Sequence, residues 1–253
     1  MKIYTYHDDL GRGHELELIE LWKTSWSNHG YEAICLNRSH TESHPFFKEF
    51  DLQLRKVCYD IIGAPISDYG MSCWHRWLAY ATQPSEKFYV SDYDAINYNF
   101  SIIHPNDNLH LFDNACPFFA SGTAQQFEKL CKGFIDVSLN RMDFLKRKDI
   151  PLQTRIGHYH DQEFFQFSFL PINPDYKSLR ENYEILMTRD TDRLGCQFFP
   201  DEEIQSQQVF HVSMYNTLEF KKRNPEFNNH SEGETKVLLA KKILELYKQN
   251  PNR

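Results

Sequence analysis

The chain has 253 residues and no composition break, which fits one large domain or one domain with a C-terminal extension. Its formal net charge of -7 excludes a general nucleic-acid binder, and an anionic substrate would need a local remedy: a metal ion or a few placed Lys and Arg. No apolar run approaches the ~20 residues of a membrane span, no basic-then-apolar leader opens the chain, and Cys35, Cys58, Cys73, Cys116, Cys131 and Cys196 form no C-x-x-C pair, so a cytoplasmic protein with reduced core cysteines is expected, with peripheral docking to a membrane-bound substrate left open.

Lys2 to Tyr6 reads as a first strand, and His7 to Gly13 as a turn-rich loop. A helix is predicted from His14 to His29, because Leu18, Ile19, Trp22 and Trp26 recur at helical spacing, and Gly30 ends it. Tyr31 to Leu36 is a second strand, so the chain opens as a βαβ unit, which favours a parallel sheet with ligand at the carboxyl ends of its strands. Residues 39 to 70 show no clear period and are broken by His44-Pro45 and Gly63-Ala64-Pro65. The spacing predicts a helix over 72–82, with Trp74, Trp77, Leu78 and Ala81 in one stripe and Arg76 on the opposite side. The run KFYVSDYD is the next strand, and NLHLF and CPFFA are two more. A capping box at Thr123 and Gln126 opens a helix bearing Phe127, Leu130, Cys131 and Phe134. EFFQFSFL and QVFHVSM read as late strands, and a second capping box at Ser231 and Glu234 opens a charged helix that stops before Pro251. The expected fold class is α/β: a single domain over 1–226, its mostly parallel central sheet flanked by helices, with a C-terminal helix over 227–253 packed on it or extending from it.

The sharpest chemical feature is Asp92-Tyr93-Asp94. Residues two apart in a strand point the same way, so the two carboxylates share a face. Like charges this close are costly when partly buried unless a cation lies between them. A hard divalent ion held by carboxylate oxygens answers that cost and keeps positions open for substrate phosphates. The bland alternative is a pair of turn-forming Asp at a strand end. His211 lies on the face opposite Phe210, Val212 and Met214, and neutral imidazole suits manganese as a third ligand.

The βαβ start, the SCWHRWLAYA helix, the strand ending in Asp-x-Asp and the late strand bearing a histidine together resemble a GT-A-fold glycosyltransferase, over about residues 1 to 215. That resemblance implies a GT-A-like, Rossmann-like domain. It implies Mn2+ or Mg2+ held by Asp92, Asp94 and His211, and a donor that is a nucleotide-diphosphate sugar of UDP or GDP type. The acceptor would be a hydroxyl on a glycan, a glycolipid or a protein-linked sugar. Tyr4, Thr5, Tyr6 and Asp8, at the end of the first strand, would hold the nucleoside, and Arg76, Asp92, Tyr93 and Lys221 the rest of the nucleotide, Lys221 as a cation for the leaving diphosphate. Asp161, then Glu163, are the candidates for the acid–base or sugar-contacting carboxylate. Asp161-Gln162 resembles the glycogenin-like retaining enzymes, which tilts the expectation toward retention. Phe118, Ser121 and Gly122 are weaker donor-site candidates.

Three rivals use the same residues. His158, His160 and Asp161 could hold zinc in a hydrolase. A nucleotidyltransferase acting on sugar phosphates also pairs carboxylates with metal, although HDDLGRG is only a faint phosphate loop. The 15% aromatic share would also serve a non-catalytic sugar-binding module, or simply a bulky core.

Overall fold

The computed structural model describes residues 1–11, 13–84, 86–101, 108–112, 118–140, 159–168, 185–187, 194–195 and 208–249. The βαβ opening is present. Strand β1 (Lys2–Tyr6) pairs in parallel with β2 (Glu32–Leu36) along its whole length, and helix α1 (Glu15–Ser27) buries Leu18, Ile19, Trp22 and Trp26 between them in sequence.

The stretch that showed no period is two helices, α2 (Arg38–Ser43) and α3 (Phe47–Ile62). The six-residue α2 is too short to display a repeat, and the Asn37 side chain caps it by accepting from Ser39 N. His44 is extended, as a residue before proline prefers, and this separates the two helices. α3 does carry a stripe of Phe50, Leu54, Val57 and Cys58, and Gly63 ends it at φ 78°, in the left-handed region that favours glycine. Helix α4 (Asp68–Ala81) begins at Asp68 rather than Ser72 because the Ser67 side chain caps it on Gly70 N.

There follow β3 (Phe88–Ser91), β4 (Ala95–Asn97), β5 (Leu109–Leu111), β6 (Phe119–Gly122), α5 (Ala124–Asn140) and α6 (Asp161–Ser168). The described elements end with β7 (Ile185–Met187), β8 (Leu194–Gly195), β9 (Val209–His211), α7 (Met214–Arg223), a 3-10 turn at Pro225–Phe227 and α8 (Glu232–Gln249). The central sheet has the order β2-β1-β3-β6-β5-β7, parallel except for β6, which runs against both neighbours. β4, β9 and β8 form a second small sheet. Among the described residues no helix is long and apolar enough to cross a membrane.

The sheet divides the core in two. Tyr4, Phe88 and Val90 face Trp74, Trp77, Phe127, Phe134 and Phe165 from α4, α5 and α6. Ile3 and Tyr89, of opposite parity, face Trp22, Trp26, Phe210, Val237 and Ile243 from α1, β9 and α8. Much of the aromatic share is therefore core. Cys58 and Cys131 are buried and Cys35 and Cys73 partly so, all four free; Cys116 and Cys196 lie outside the described residues. Both predicted capping boxes form, with Gln126 Oε1 accepting from Thr123 N at 2.8 Å and Glu234 Oε2 from Ser231 N at 2.7 Å.

Glu163 to Ser168 of the EFFQFSFL run are helical rather than a strand, and Phe169 and Leu170 lie outside the described residues. The helical part lies in α6, which Glu163 caps by accepting from His160 N at 3.0 Å, while Phe164 and Phe165 pack under α4 and α5. A short apolar run reads equally as strand or helix until its cap is recognised. Met214 likewise leaves the face assigned to it: it is the first residue of α7 and is exposed.

Trp22 Nε1 donates to Ser91 Oγ at 2.8 Å across the buried α1–β3 contact. Trp22→Phe keeps most of the ring and strands that hydroxyl. It should cost about 1–3 kcal/mol, seen as a lower urea midpoint with an unchanged slope.

Candidate functional site

Strand β3 ends at Ser91, and Ala95 N donates to Asp92 O at 3.0 Å, so Asp92-Tyr93-Asp94 is a tight turn into β4 rather than a strand end. The two carboxylates converge through that turn and not through strand parity. Backbone bonds on both sides hold it: Asp92 N donates to Phe118 O and Val212 N to Asp94 O, both at 2.8 Å. β4 pairs antiparallel with β9 so that Ala95 stands opposite His211, and this register sets Asp94 beside the imidazole. The Phe118 ring stacks on His211 with centroids 4.5 Å apart, and the Asn216 amide donates to the His211 carbonyl. His211 Nε2 lies 3.3 Å from Asp94 Oδ1 and 3.7 Å from Asp92 Oδ2. One ligand atom from each of the three residues falls within 4.8 Å of the others. Two carboxylates and an imidazole at this spacing suit manganese or magnesium.

Two cations balance these carboxylates. Arg76, on the side of α4 opposite its apolar stripe, turns into the site, where Nη1 donates to Asp92 and Nε and Nη2 donate to Asp161 Oδ2 at 2.9 and 2.5 Å. Lys236, from the first turns of α8, places Nζ 2.9 Å from Asp94 Oδ2. Asp161 is 1% exposed, and Trp77 Nε1 also donates to its Oδ2, at 2.7 Å. Its Oδ1 accepts from Gln162 N and lies 3.2 Å from His160 Nδ1. Burial pushes the Asp161 carboxyl up, but the Arg76 charge and the His160 and Trp77 hydrogen bonds outweigh it and hold the group at about 2. Asp94 is likewise lowered against its burial, by Lys236 and His211. Asp92 moves the other way, because burial and the neighbouring Asp94 together exceed the pull of Arg76.

One cleft is lined both by Asp92 and Asp94 and by residues at the end of β1. Tyr6, His7, Asp8, Glu15 and Tyr93 line it together with Arg76, Asp92, Asp94 and Lys236. Glu15 is buried, accepting from Tyr93 Oη at 2.7 Å and lying 3.2 Å from His7 Nε2. Tyr6 Oη donates to Asp8 at 3.4 Å. The fold thus brings Tyr6, Asp8, Arg76, Asp92, Tyr93 and Asp94 into one cleft lining, while His211 is outside that lining and meets the site through Asp92 and Asp94. Tyr4 and Thr5 sit behind the cleft in the sheet, Tyr4 edge-on to Phe88 at 4.9 Å and Thr5 fully buried. Lys221 is outside the cleft lining and donates to the His230 carbonyl. Asp161 and Glu163 stand behind Arg76 rather than in the lining. Ser121 is buried in β6, and a Cβ on Gly122 would come within 2.8 Å of Leu109, so neither reaches the cleft lining.

No protein-family model and no curated protein matches the chain. A crystal structure of a glycosyltransferase involved in the glycosylation of the major capsid of PBCV-1 is similar at a TM-score of 0.39 and 16% identity, covering 93% of this chain and 96% of that chain. A likeness of that size decides nothing about the site, which rests on its own residues.

Sequence reading missed Lys236, Tyr69, Cys73 and Glu15 as lining residues. Lys236 left one trace, a lysine set among the buried Thr235, Val237, Leu239 and Ala240 of α8. Of the zinc triad, His158 lies outside the described residues, and His160 and Asp161 gather instead with Cys73. Arg76 and Trp77 already occupy Asp161, which weakens that group as a metal site.

The Asp161 carboxyl titrates at about 2 in the folded chain and near 3.9 once unfolded. Its contribution to stability is therefore complete above the unfolded value and lost as pH falls toward 2. Asp161→Asn should flatten the dependence of the urea midpoint on pH between about 5 and 2, and an unchanged acid limb would contradict the assignment.

Proposed function

We propose that this chain is a metal-dependent glycosyltransferase, moving a sugar from a nucleotide-diphosphate sugar of UDP or GDP type to an acceptor hydroxyl. The observation that supports it is the convergence of Asp92, Asp94 and His211 within 4.8 Å, with Asp92 and Asp94 lining the same cleft as Tyr6 and Asp8 from the tip of β1. Polar and aromatic residues at the carboxyl edge of a parallel strand, sharing a cleft with a carboxylate pair fit for a divalent ion, suit a molecule that carries both a nucleoside and a diphosphate.

Asp92, Asp94 and His211 would hold Mn2+ or Mg2+, which supplies positive charge to the diphosphate as the sugar–phosphate bond breaks. Tyr6 offers a ring and Asp8 an acceptor for a base or ribose hydroxyl. Arg76 is fixed by Asp161, which Trp77 holds in turn, beside Asp92 in the cleft, so its charge faces the leaving group without needing to reorganise. Asp161 then acts through Arg76: its two oxygens are engaged, so it positions a cation rather than taking a proton. That suits a retaining transfer, in which a leaving phosphate oxygen accepts the hydroxyl proton and no protein base is required. Glu163 supports the same turn by capping α6. The acceptor is read only as a hydroxyl, on a glycan, a glycolipid or a protein-linked sugar.

The test is calorimetric titration with uridine and guanosine diphosphates, in Mn2+ and in chelator, on wild type and Asp94→Asn. One nucleotide should bind only with metal and only when Asp94 is present. Product analysis then separates the rivals: free nucleoside diphosphate marks a transferase, pyrophosphate a nucleotidyltransferase, and neither a sugar-binding module. Nucleotide affinity indifferent to both metal and Asp94 would sink the ion-site reading.

A further inference from the structure

The C-terminal helix α8 puts a charge into the cleft that the ion site does not call for. Lys236 Nζ is 2.9 Å from Asp94 Oδ2, while His211 Nε2 takes Oδ1 at 3.3 Å, so both oxygens of Asp94 are already faced by nitrogen. An ammonium and a divalent ion at one carboxylate repel each other strongly in a partly buried site. The helix itself is pinned. Thr235, Val237, Leu239 and Ala240 are buried, and its first turn lies so close to His14 that a Cβ on Gly233 would come within 2.1 Å of the imidazole Nδ1. What can move is the four-carbon stem of Lys236. It has a second carboxylate in reach one turn earlier, Glu232 Oε1 at 3.6 Å. It also lines the cleft that Arg76 and Asp8 line, so an anion entering there meets its charge.

We propose that Lys236 stands in for the divalent ion at Asp94 and gives up that carboxylate when an anionic diphosphate enters, so that α8 couples ion binding to nucleotide binding. The inference rests on the reading of Asp92, Asp94 and His211 as an ion site. Without nucleotide the ion competes with Lys236 and binds weakly. With nucleotide, Lys236 pairs with phosphate oxygens and the competition ends. By linkage, nucleotide strengthens the ion by the same factor as the ion strengthens nucleotide.

The experiment is Mn2+ titration of the full chain by calorimetry, alone and with saturating uridine or guanosine diphosphate, whichever binds. Wild type, Lys236→Met, Lys236→Arg, Glu232→Gln and Asp94→Asn are compared, with circular dichroism and melting temperature as checks of folding. Lys236→Met should bind Mn2+ alone about tenfold more tightly than wild type, within the usual range of site coupling, and the gain in ion affinity on adding nucleotide should shrink. Lys236→Arg should behave as wild type. Glu232→Gln removes the second partner on an exposed turn and should weaken Mn2+ binding, which keeps the proposal testable if Lys236→Met does not fold. Wild-type ion affinity in a folded Lys236→Met, or in Glu232→Gln, overturns the proposal while leaving the ion site standing, provided Asp94→Asn abolishes binding. Ion binding that survives Asp94→Asn, or is absent from wild type with either nucleotide, overturns the site reading and the proposal together.

Discussion

Asp92 and Asp94 line a cleft and Asp161 is buried behind it, on the far side of Arg76, and the rest of the site is arranged around neutralising these three carboxylates. Uncompensated, they would repel one another and carry a desolvation cost that no small domain tolerates. Arg76 spans Asp92 and Asp161, Lys236 takes Asp94, and His211 faces both Asp92 and Asp94. The balance is uneven: Asp94 and Asp161 are pulled below the ordinary carboxylate range while Asp92 is raised. Asp92 is thus the carboxylate least satisfied by the protein and the readiest to gain from a further cation.

Each neutralising group comes from a different part of the chain, and this explains why such distant segments pack together. α4 delivers Arg76 while its other face, through Trp74 and Trp77, holds α5 and α6. The N-terminus of α6 delivers Asp161 to Arg76 and Trp77. The small sheet delivers His211 through the Ala95 register, and α8, lying against α1, delivers Lys236. The second layer is equally specific. Phe118 stacks on His211, Asn216 holds the same residue's carbonyl, and Tyr93 reaches back to Glu15. A site supported this way is organised before ligand arrives, which is what electrostatic catalysis requires.

Local pattern made much of the frame legible. The α1 stripe, both capping boxes and the parallel β1–β2 pair follow from the periodicity of near neighbours. Failures occurred where local signal was short or ambiguous. α2 is under two turns long, α3 was hidden between two prolines, and the apolar run of α6 reads as a strand unless Glu163 is recognised as its cap. The Arg76 pairing with both Asp92 and Asp161 was not legible, because helical spacing shows which face is apolar and not what an opposite face meets.

By itself the sequence determined the βαβ opening, the placement of an Asp-x-Asp where a buried strand ends, and the candidacy of His211. All of these depend on residues a few positions apart, where chain geometry leaves few choices. Only the tertiary structure decided that Asp92 and Asp94 converge through a turn, that Asp161 is locked behind Arg76, that Lys221 stays outside the cleft lining, and that Lys236 enters it. Those outcomes depend on contacts between segments far apart in the chain. They are set by which arrangement lets every buried charge find its counter-charge, a condition that no short window of residues contains.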